Sequence, residues 1–466
     1  MLREFEQDTI AAISTPLGEG GIGVVRLSGR DAIAIADKIF ESKKRKGVHE
    51  QKSFTAQYGH VIEKGLDGVR VIDEVLLLLM RGPKSYTCED VVEISAHGGS
   101  AVLQEILQLA LNAGARLAGK GEFTKRAFLI GRLDLLQAEA VLDLVKAKTS
   151  LGAQWATAQL EGVLSRKMQN WKEELLNILS HLEASIDFPD DFPETDSHLE
   201  LGQRLGLLHQ EVAELLASSD LGMIAKRGLK VVISGRPNVG KSSLMNQLAK
   251  ANRVIVTPYP GTTRDVVEEE IQIHGFPVRL LDTAGIQDTS HPIEKEGINR
   301  SKRAVDESDL VLYVLDGSQD WHPDDETLLG GLDGKSMIIV VNKSDLPAKL
   351  DSIRVKQRVN GASVVGSSCL KESGIRALED EIFRFITEGK TKVSDEAVIS
   401  SVRQKDLLQK TLANIADAQN GCQEGLSPEL LAVDVRLALD HLGLLVGEVV
   451  NDDVLEVLFS QFCIGK

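Results

Sequence analysis

A chain of 466 residues, 42% hydrophobic and 26% charged, has the makeup of a soluble globular protein of roughly three domains. Its net charge of -16 excludes a protein that coats nucleic acid non-specifically, though not a local patch that holds one structured RNA. Four scattered cysteines without a C-x-x-C pair exclude a disulfide framework and structural zinc, and no apolar run is long enough to cross a bilayer.

The acidic start MLREFEQDTI lacks an apolar h-region, so a cytoplasmic protein without membrane attachment is expected. Residues 1–130 mix short β-rich runs, GVVRLSG, DEVLLLLM and VVEISAHGG, with a few helices, which predicts an α+β domain. The basic run Lys43–Lys46 reads as a solvated loop. Residues 131–226 turn helical: Leu175, Leu176, Ile178, Leu179, Leu182 and Ile186 recur at helical spacing, until the prolines of DFPDDFP break the pattern. Residues 227–387 alternate apolar strands (LKVVISG, VRLLDTAG, DLVLYVLDG, SMIIVVNKSD, ASVVGSS) with helical stretches, the doubly wound α/β pattern. Helices return over 388–466, where Ser427, Pro428 and Glu429 supply a capping hydroxyl, a first-position proline and an early acid. The expected fold is therefore multidomain: an α+β N-terminal domain, an all-α domain in two pieces, and an α/β domain inserted between them.

The chemistry concentrates in the inserted domain. GRPNVGKSS (Gly235–Ser243) satisfies G-x-x-x-x-G-K-[ST] with a strand before it and helix-forming SLMNQLAK after it. Backbone amides of Asn238, Val239, Gly240, Lys241, Ser242 and Ser243 can face phosphates, the Lys241 ammonium suits the β- and γ-phosphates, and the Ser242 hydroxyl suits Mg²⁺. DTAG ends the next strand, with Asp282 toward a Mg²⁺ water, Thr283 and Ala284 in the turn, and the Gly285 amide toward the γ-phosphate. In NKSD, Asn342 and Lys343 precede Asp345, whose carboxylate can accept from two guanine donors that adenine lacks; Ser367 and Ser368 close on the base. Thr263 of PGTTRD is the expected switch ligand to Mg²⁺. Four motifs in this order predict a GTPase that binds GTP and GDP. Ile286 follows DTAG where Ras-type GTPases carry the glutamine that orients water, so another group must do that work, and Arg264 is a candidate source of positive charge.

Two look-alikes fail on context. GEGGIG leads into a strand rather than a helix, and HGG at His97–Gly99 has no G-x-S-x-G partner, so it reads as a strand-to-helix turn. The ending CIGK is no prenylation box, since Gly465 is not aliphatic and Lys466 is not a residue such boxes use.

These motifs, with GGIGVVRLSG, EDVVEISAHGG, GEFTKRAFLIGRLDLLQAEA and the final CIGK, resemble the MnmE (TrmE) family of tRNA-modification GTPases over the whole chain. The resemblance implies a homodimer with a tetrahydrofolate-binding and dimerisation domain at 1–130, a helical domain at 131–226 and 388–466, and a Ras-like G domain at 227–387. It implies K⁺ activation, with K⁺ held by Asn238 and by the switch loop through Thr257, Tyr259 and Thr262, where Gly261 also lies against the nucleotide. It implies that Glu294 orients the hydrolytic water. Gln287 stands where many relatives carry arginine, which makes it a candidate for water contact. The folate, a 5,10-methylene or 5-formyl derivative, would meet Arg26, Glu93, Arg132 and Lys466. Cys463 would ride a mobile arm toward the one-carbon unit, as nucleophile, proton donor or structural element. With an FAD-dependent partner of the MnmG (GidA) type, in a heterotetramer, the family modifies the wobble uridine of tRNA at C5. A ribosome-assembly or signalling GTPase would share every G motif but need neither CIGK nor the N-terminal domain; a pure folate enzyme would leave the G domain idle.

Overall fold

The computed structural model of the chain describes residues 8–44, 46–66, 68–188, 194–252, 268–282, 303–359, 361–370, 372–388 and 398–466. They fall into two compact units, Met1–Leu142 with Gln159–Glu174 and Leu439–Lys466, and Asp143–Ala158 with Leu175–Ala438. Among the described residues, no helix is long and apolar enough to cross a membrane.

In the first unit the β-rich runs become β1 (Thr9–Ile13), β2 (Gly23–Gly29), β3 (Phe40–Ser42), β4 (Thr55–Gly65), β5 (Gly68–Met80), β6 (Val91–Ala96) and β7 (Arg116–Leu117). They form one sheet in the order β3-β4-β5-β6-β2-β1-β7, antiparallel except between β1 and β7. Period-two alternation sends Val25, Leu27, Leu77, Leu79, Val92 and Ile94 to one face. The helices Ala32–Ile39 and Ser100–Asn112 cover that face with Ile33, Ala36, Leu103 and Ile106. Each such aliphatic side chain contributes about 1.5–3 kcal/mol by leaving water. The same alternation leaves Arg26 and Glu93 on the opposite face, and the β2–β6 register sets them directly across from each other. His97-Gly98-Gly99 is the expected strand-to-helix turn, and Gly98 has no room for a Cβ against the Gly20 carbonyl. A second cluster forms where Leu135, Ala138 and Leu142 meet Leu455, Phe459 and Phe462. Asn451 starts the helix Asp452–Ser460 by accepting from the Asp453 amide, and two acids in its first turn suit the positive end of the helix dipole.

The second unit holds a six-stranded sheet of β8 (Leu229–Ser234), β9 (Glu268–Ile273), β10 (Phe276–Asp282), β11 (Leu310–Asp316), β12 (Met337–Asn342) and β13 (Ser363–Gly366). Its order is β13-β12-β11-β8-β10-β9, parallel except for β9. β11 is buried at every position, as a central strand covered on both faces must be. Helices Lys241–Asn252 and Glu372–Ile386 pack one face through Leu244, Leu248, Leu378 and Ile382; Leu332, Val355 and Val359 cover the other. This is the expected doubly wound domain. In the same unit the helices Glu194–Leu216 and Val402–Glu424 run antiparallel, with Gly202 facing Cys422 and Gly206 facing Gln419.

Candidate functional site

The segment between β8 and the helix Lys241–Asn252 is a loop that its glycines make possible. Gly235, Asn238 and Gly240 have φ of +140°, +63° and +100°. A Cβ at Gly235 would lie 2.5 Å from the Val314 carbonyl oxygen, and one at Gly240 would collide with the Asn342 amide nitrogen. Such a turn at a helix N-terminus gathers backbone N–H groups around an anion site. Lys241 is 6% exposed and curls back to donate to the Gly235 and Arg236 carbonyls at 2.9 and 2.8 Å. Ser242 and Ser243 stand exposed on the first helical turn.

The NKSD segment is wired to this loop. Asn342 donates to the Val239 carbonyl at 2.9 Å, and Lys343 donates to the Asn238 carbonyl at 3.1 Å and to Asp316 at 2.7 Å. Burial would raise the Asp316 pKa, but Lys343 and Ser318 outweigh it and hold the carboxyl below its ordinary range. Ser368 donates to Asp345 Oδ1 at 2.6 Å, which fixes that carboxylate; Ser367 and Ser368 are fully buried. Cys369 donates to Asn342 Oδ1 at 3.6 Å, while burial pushes its thiol upward. The structure thus brings Asn238, Val239, Gly240, Lys241, Asn342, Lys343, Asp345 and Ser368 into one constellation. The Asp282 backbone ends β10 beside Ile233 of β8. Thr257, Tyr259, Gly261, Thr262, Thr263, Arg264, Thr283, Ala284, Gly285, Ile286, Gln287 and Glu294 lie outside the described residues. Among the described residues, no group of three or more His, Cys, Asp or Glu could hold a metal. Of the residues expected at Mg²⁺ and K⁺, Ser242 and Asn238 are described, and both are exposed. Sequence reasoning missed Asp316, which carries no motif beyond ending a strand.

The first unit gathers the second set. Arg26 donates from Nε to Glu93 Oε1 at 2.8 Å, with the two side chains 19% and 22% exposed. Its guanidinium lies 5.5 Å from the Phe123 ring centre and 6.0 Å from that of Tyr86; Arg132 lies 5.0 Å from Tyr86. Tyr86, which sequence reasoning missed, shares a 2.9 Å hydrogen bond with Thr124, and burial raises its pKa. The chain end arrives here as well. Lys120 and Ile464 form an antiparallel bridge, Gly121 donates to the Cys463 carbonyl at 3.4 Å, and Phe123 donates to the Lys466 carbonyl at 3.2 Å. Arg26 donates to the Gly465 carbonyl at 3.4 Å, and Gly465, at φ +95°, leaves no space for a Cβ against Ile13. The chain end is docked here by backbone pairing, with the Cys463 side chain exposed. Cations, a carboxylate and two aromatic rings on one face are a donor set that fits a flat, donor-rich heterocycle with acidic substituents.

Comparison with known proteins follows the same lines. Residues 9–132 match the family described as GTP-binding protein TrmE N-terminus, and residues 135–463 match the MnmE helical domain. The chain is 44% identical over 460 residues to the tRNA modification GTPase MnmE of Bacillus subtilis (strain 168), covering 98% of this chain and 100% of that protein. It is 45% identical over 463 residues to the one of Geobacillus kaustophilus (strain HTA426), covering 99% and 100%.

Proposed function

The chain belongs to the MnmE (TrmE) family of tRNA modification GTPases, and we propose that it couples K⁺-activated GTP hydrolysis, in a homodimer, to modification of the tRNA wobble uridine at C5. In this reading, residues 1–130 bind the folate and dimerise, 131–226 and 388–466 form the helical domain, and 227–387 form the G domain. An FAD protein of the MnmG (GidA) type is the partner, and the reaction belongs to the cytoplasm. The observation that carries the folate assignment is the Arg26–Glu93 pair, set against Tyr86 and Phe123 and met by the Gly465 carbonyl.

The residues divide the work. Lys241 and the loop amides meet the phosphates, and Asp345, steadied by Ser368, reads guanine. Ser242 and Thr263 would hold Mg²⁺, which when bound neutralises phosphate charge. Asn238, Thr257, Tyr259 and Thr262 would hold K⁺, the positive charge that an arginine supplies in other GTPases. Glu294 orients the attacking water, since the Ile286 side chain has no polar atom. Glu93 would accept from the amino and ring N–H groups of the folate's pterin, and Arg26, Arg132 and Lys466 would meet the folate's carboxylates. Cys463 would present its thiol to the one-carbon unit.

GTP turnover in KCl should rise well above that in NaCl at equal ionic strength, and Glu294→Ala should lower the KCl rate about a hundredfold. Turnover that ignores the cation and survives the substitution would sink the mechanism. For the folate, Glu93→Gln should weaken binding of 5-formyl-tetrahydrofolate about tenfold by calorimetry, the loss expected for one charged hydrogen bond. Unchanged affinity would remove Glu93 from the site.

A further inference from the structure

The phosphate loop is tied to its sheet by a buried polar chain that no motif covers. Arg236, the second residue of the loop, donates from Nε to Asp325 Oδ2 at 2.8 Å. Tyr313 donates its hydroxyl to Asp325 Oδ1 at 3.0 Å. The Asp325 side chain is 1% exposed, that of Arg236 14%, and Tyr313 is fully buried, so water screens this pair little. Tyr313 sits in the middle of β11, next to Val314, the residue whose carbonyl closes on Gly235. Arg236 is thus engaged in both directions. Its side chain reaches outward to Asp325, on the helix Pro323–Gly330, and its carbonyl reaches inward to the Lys241 ammonium at 2.8 Å.

We propose that Asp325, backed by Tyr313, is a positioning residue for GTP binding. It holds Arg236, and with it the carbonyl on which Lys241 rests, so that the loop already has its nucleotide-accepting shape when GTP arrives. A loop ordered in advance does not lose that conformational freedom on binding, so the device acts on affinity. A carboxylate gripped by two donors in a water-poor site is stiff enough to do this, since loosening either bond leaves a buried charge partly unmatched. Asp325 acts through Arg236 and takes no part in bond breaking, so its loss should appear in KM and Kd rather than in kcat.

The test uses the full-length protein, fluorescent GDP binding, steady-state GTP kinetics and thermal melting. Asp325→Asn should raise the Kd for GDP and the KM for GTP about tenfold with kcat within about twofold, and Tyr313→Phe should raise both about threefold. In a Tyr313→Phe background, which leaves no hydroxyl without its acceptor, the double variant Arg236→Met with Asp325→Leu replaces the ion pair by apolar groups of similar size and should recover the melting temperature. Its nucleotide affinity should stay low. Affinity that returned together with stability in the double variant would overturn the proposal, because the pair would then be an ordinary structural ion pair. Wild-type GDP affinity in Asp325→Asn would overturn it equally. If Asp325→Asn does not fold, Tyr313→Phe and the double variant decide the same question.

Discussion

Asp345→Asn should lower the preference for GTP about a thousandfold and open the site to xanthosine triphosphate. In the proposed reading the wild-type carboxylate accepts from the ring N–H and the exocyclic amine of guanine, two bonds to a charged acceptor. An asparagine amide turns one of those acceptors into a donor that faces the amine, and leaves buried groups without partners. Xanthine carries an oxygen in place of that amine, so the same amide can donate to it. Ser368 donates to Asp345 Oδ1 at 2.6 Å and can donate to an asparagine oxygen in the same place, so the exchange should not disturb the fold. Steady-state turnover with the two triphosphates measures the switch. GTP kept at wild-type efficiency would show that Asp345 does not read the base.

Arg126→Met should be the most destabilising single change in the first unit, costing about 3–5 kcal/mol. Its side chain is 1% exposed and donates to Glu89 at 2.9 Å, Asp8 at 2.6 Å and Glu122 at 3.0 Å. Methionine fills similar space but leaves these carboxylates with Arg116, which reaches only Asp8 and Glu122. Burial would raise the Glu122 pKa, yet Arg116, the Gly119 amide and Arg126 outweigh it and hold the carboxyl down at about 2 against an ordinary 4.5. That gap corresponds to about 3 kcal/mol, and because the folded value is the lower one, the stability is whole above about pH 4.5. It is lost as the pH falls from there toward 2. Melting curves across this range should show a steep acid loss in the wild type and a shallower one in Arg126→Met, from a lower start. A variant that melts like the wild type at neutral pH would mean that the cluster adds no net stability.

The sequence by itself determined most of what local rules control. The strands from GVVRLSG to ASVVGSS follow from runs of apolar residues that only a sheet can bury, and the phosphate loop follows from glycines in a turn that side chains cannot enter. Asp345 was legible because four motifs stand in a fixed order. Once β2 and β6 pair, period two places Arg26 and Glu93 on one face, but which residues stand opposite each other is a matter of register.

Tertiary structure decided the contacts that close over long stretches of chain. Asp325 lies 89 residues beyond Arg236 and reads locally as one of three acids in a helix's first turn, which suits the helix dipole and points to nothing else. Tyr86 reads as an ordinary aromatic in a loop, and only the fold sets it between two guanidinium groups. The tail is the clearest case. Ile464 reads as one apolar residue near a chain end, and only closure of a loop of 439 residues brings Arg26 to the Gly465 carbonyl. Periodicity records which face of an element is apolar; it carries no information about which distant backbone will arrive to pair with it.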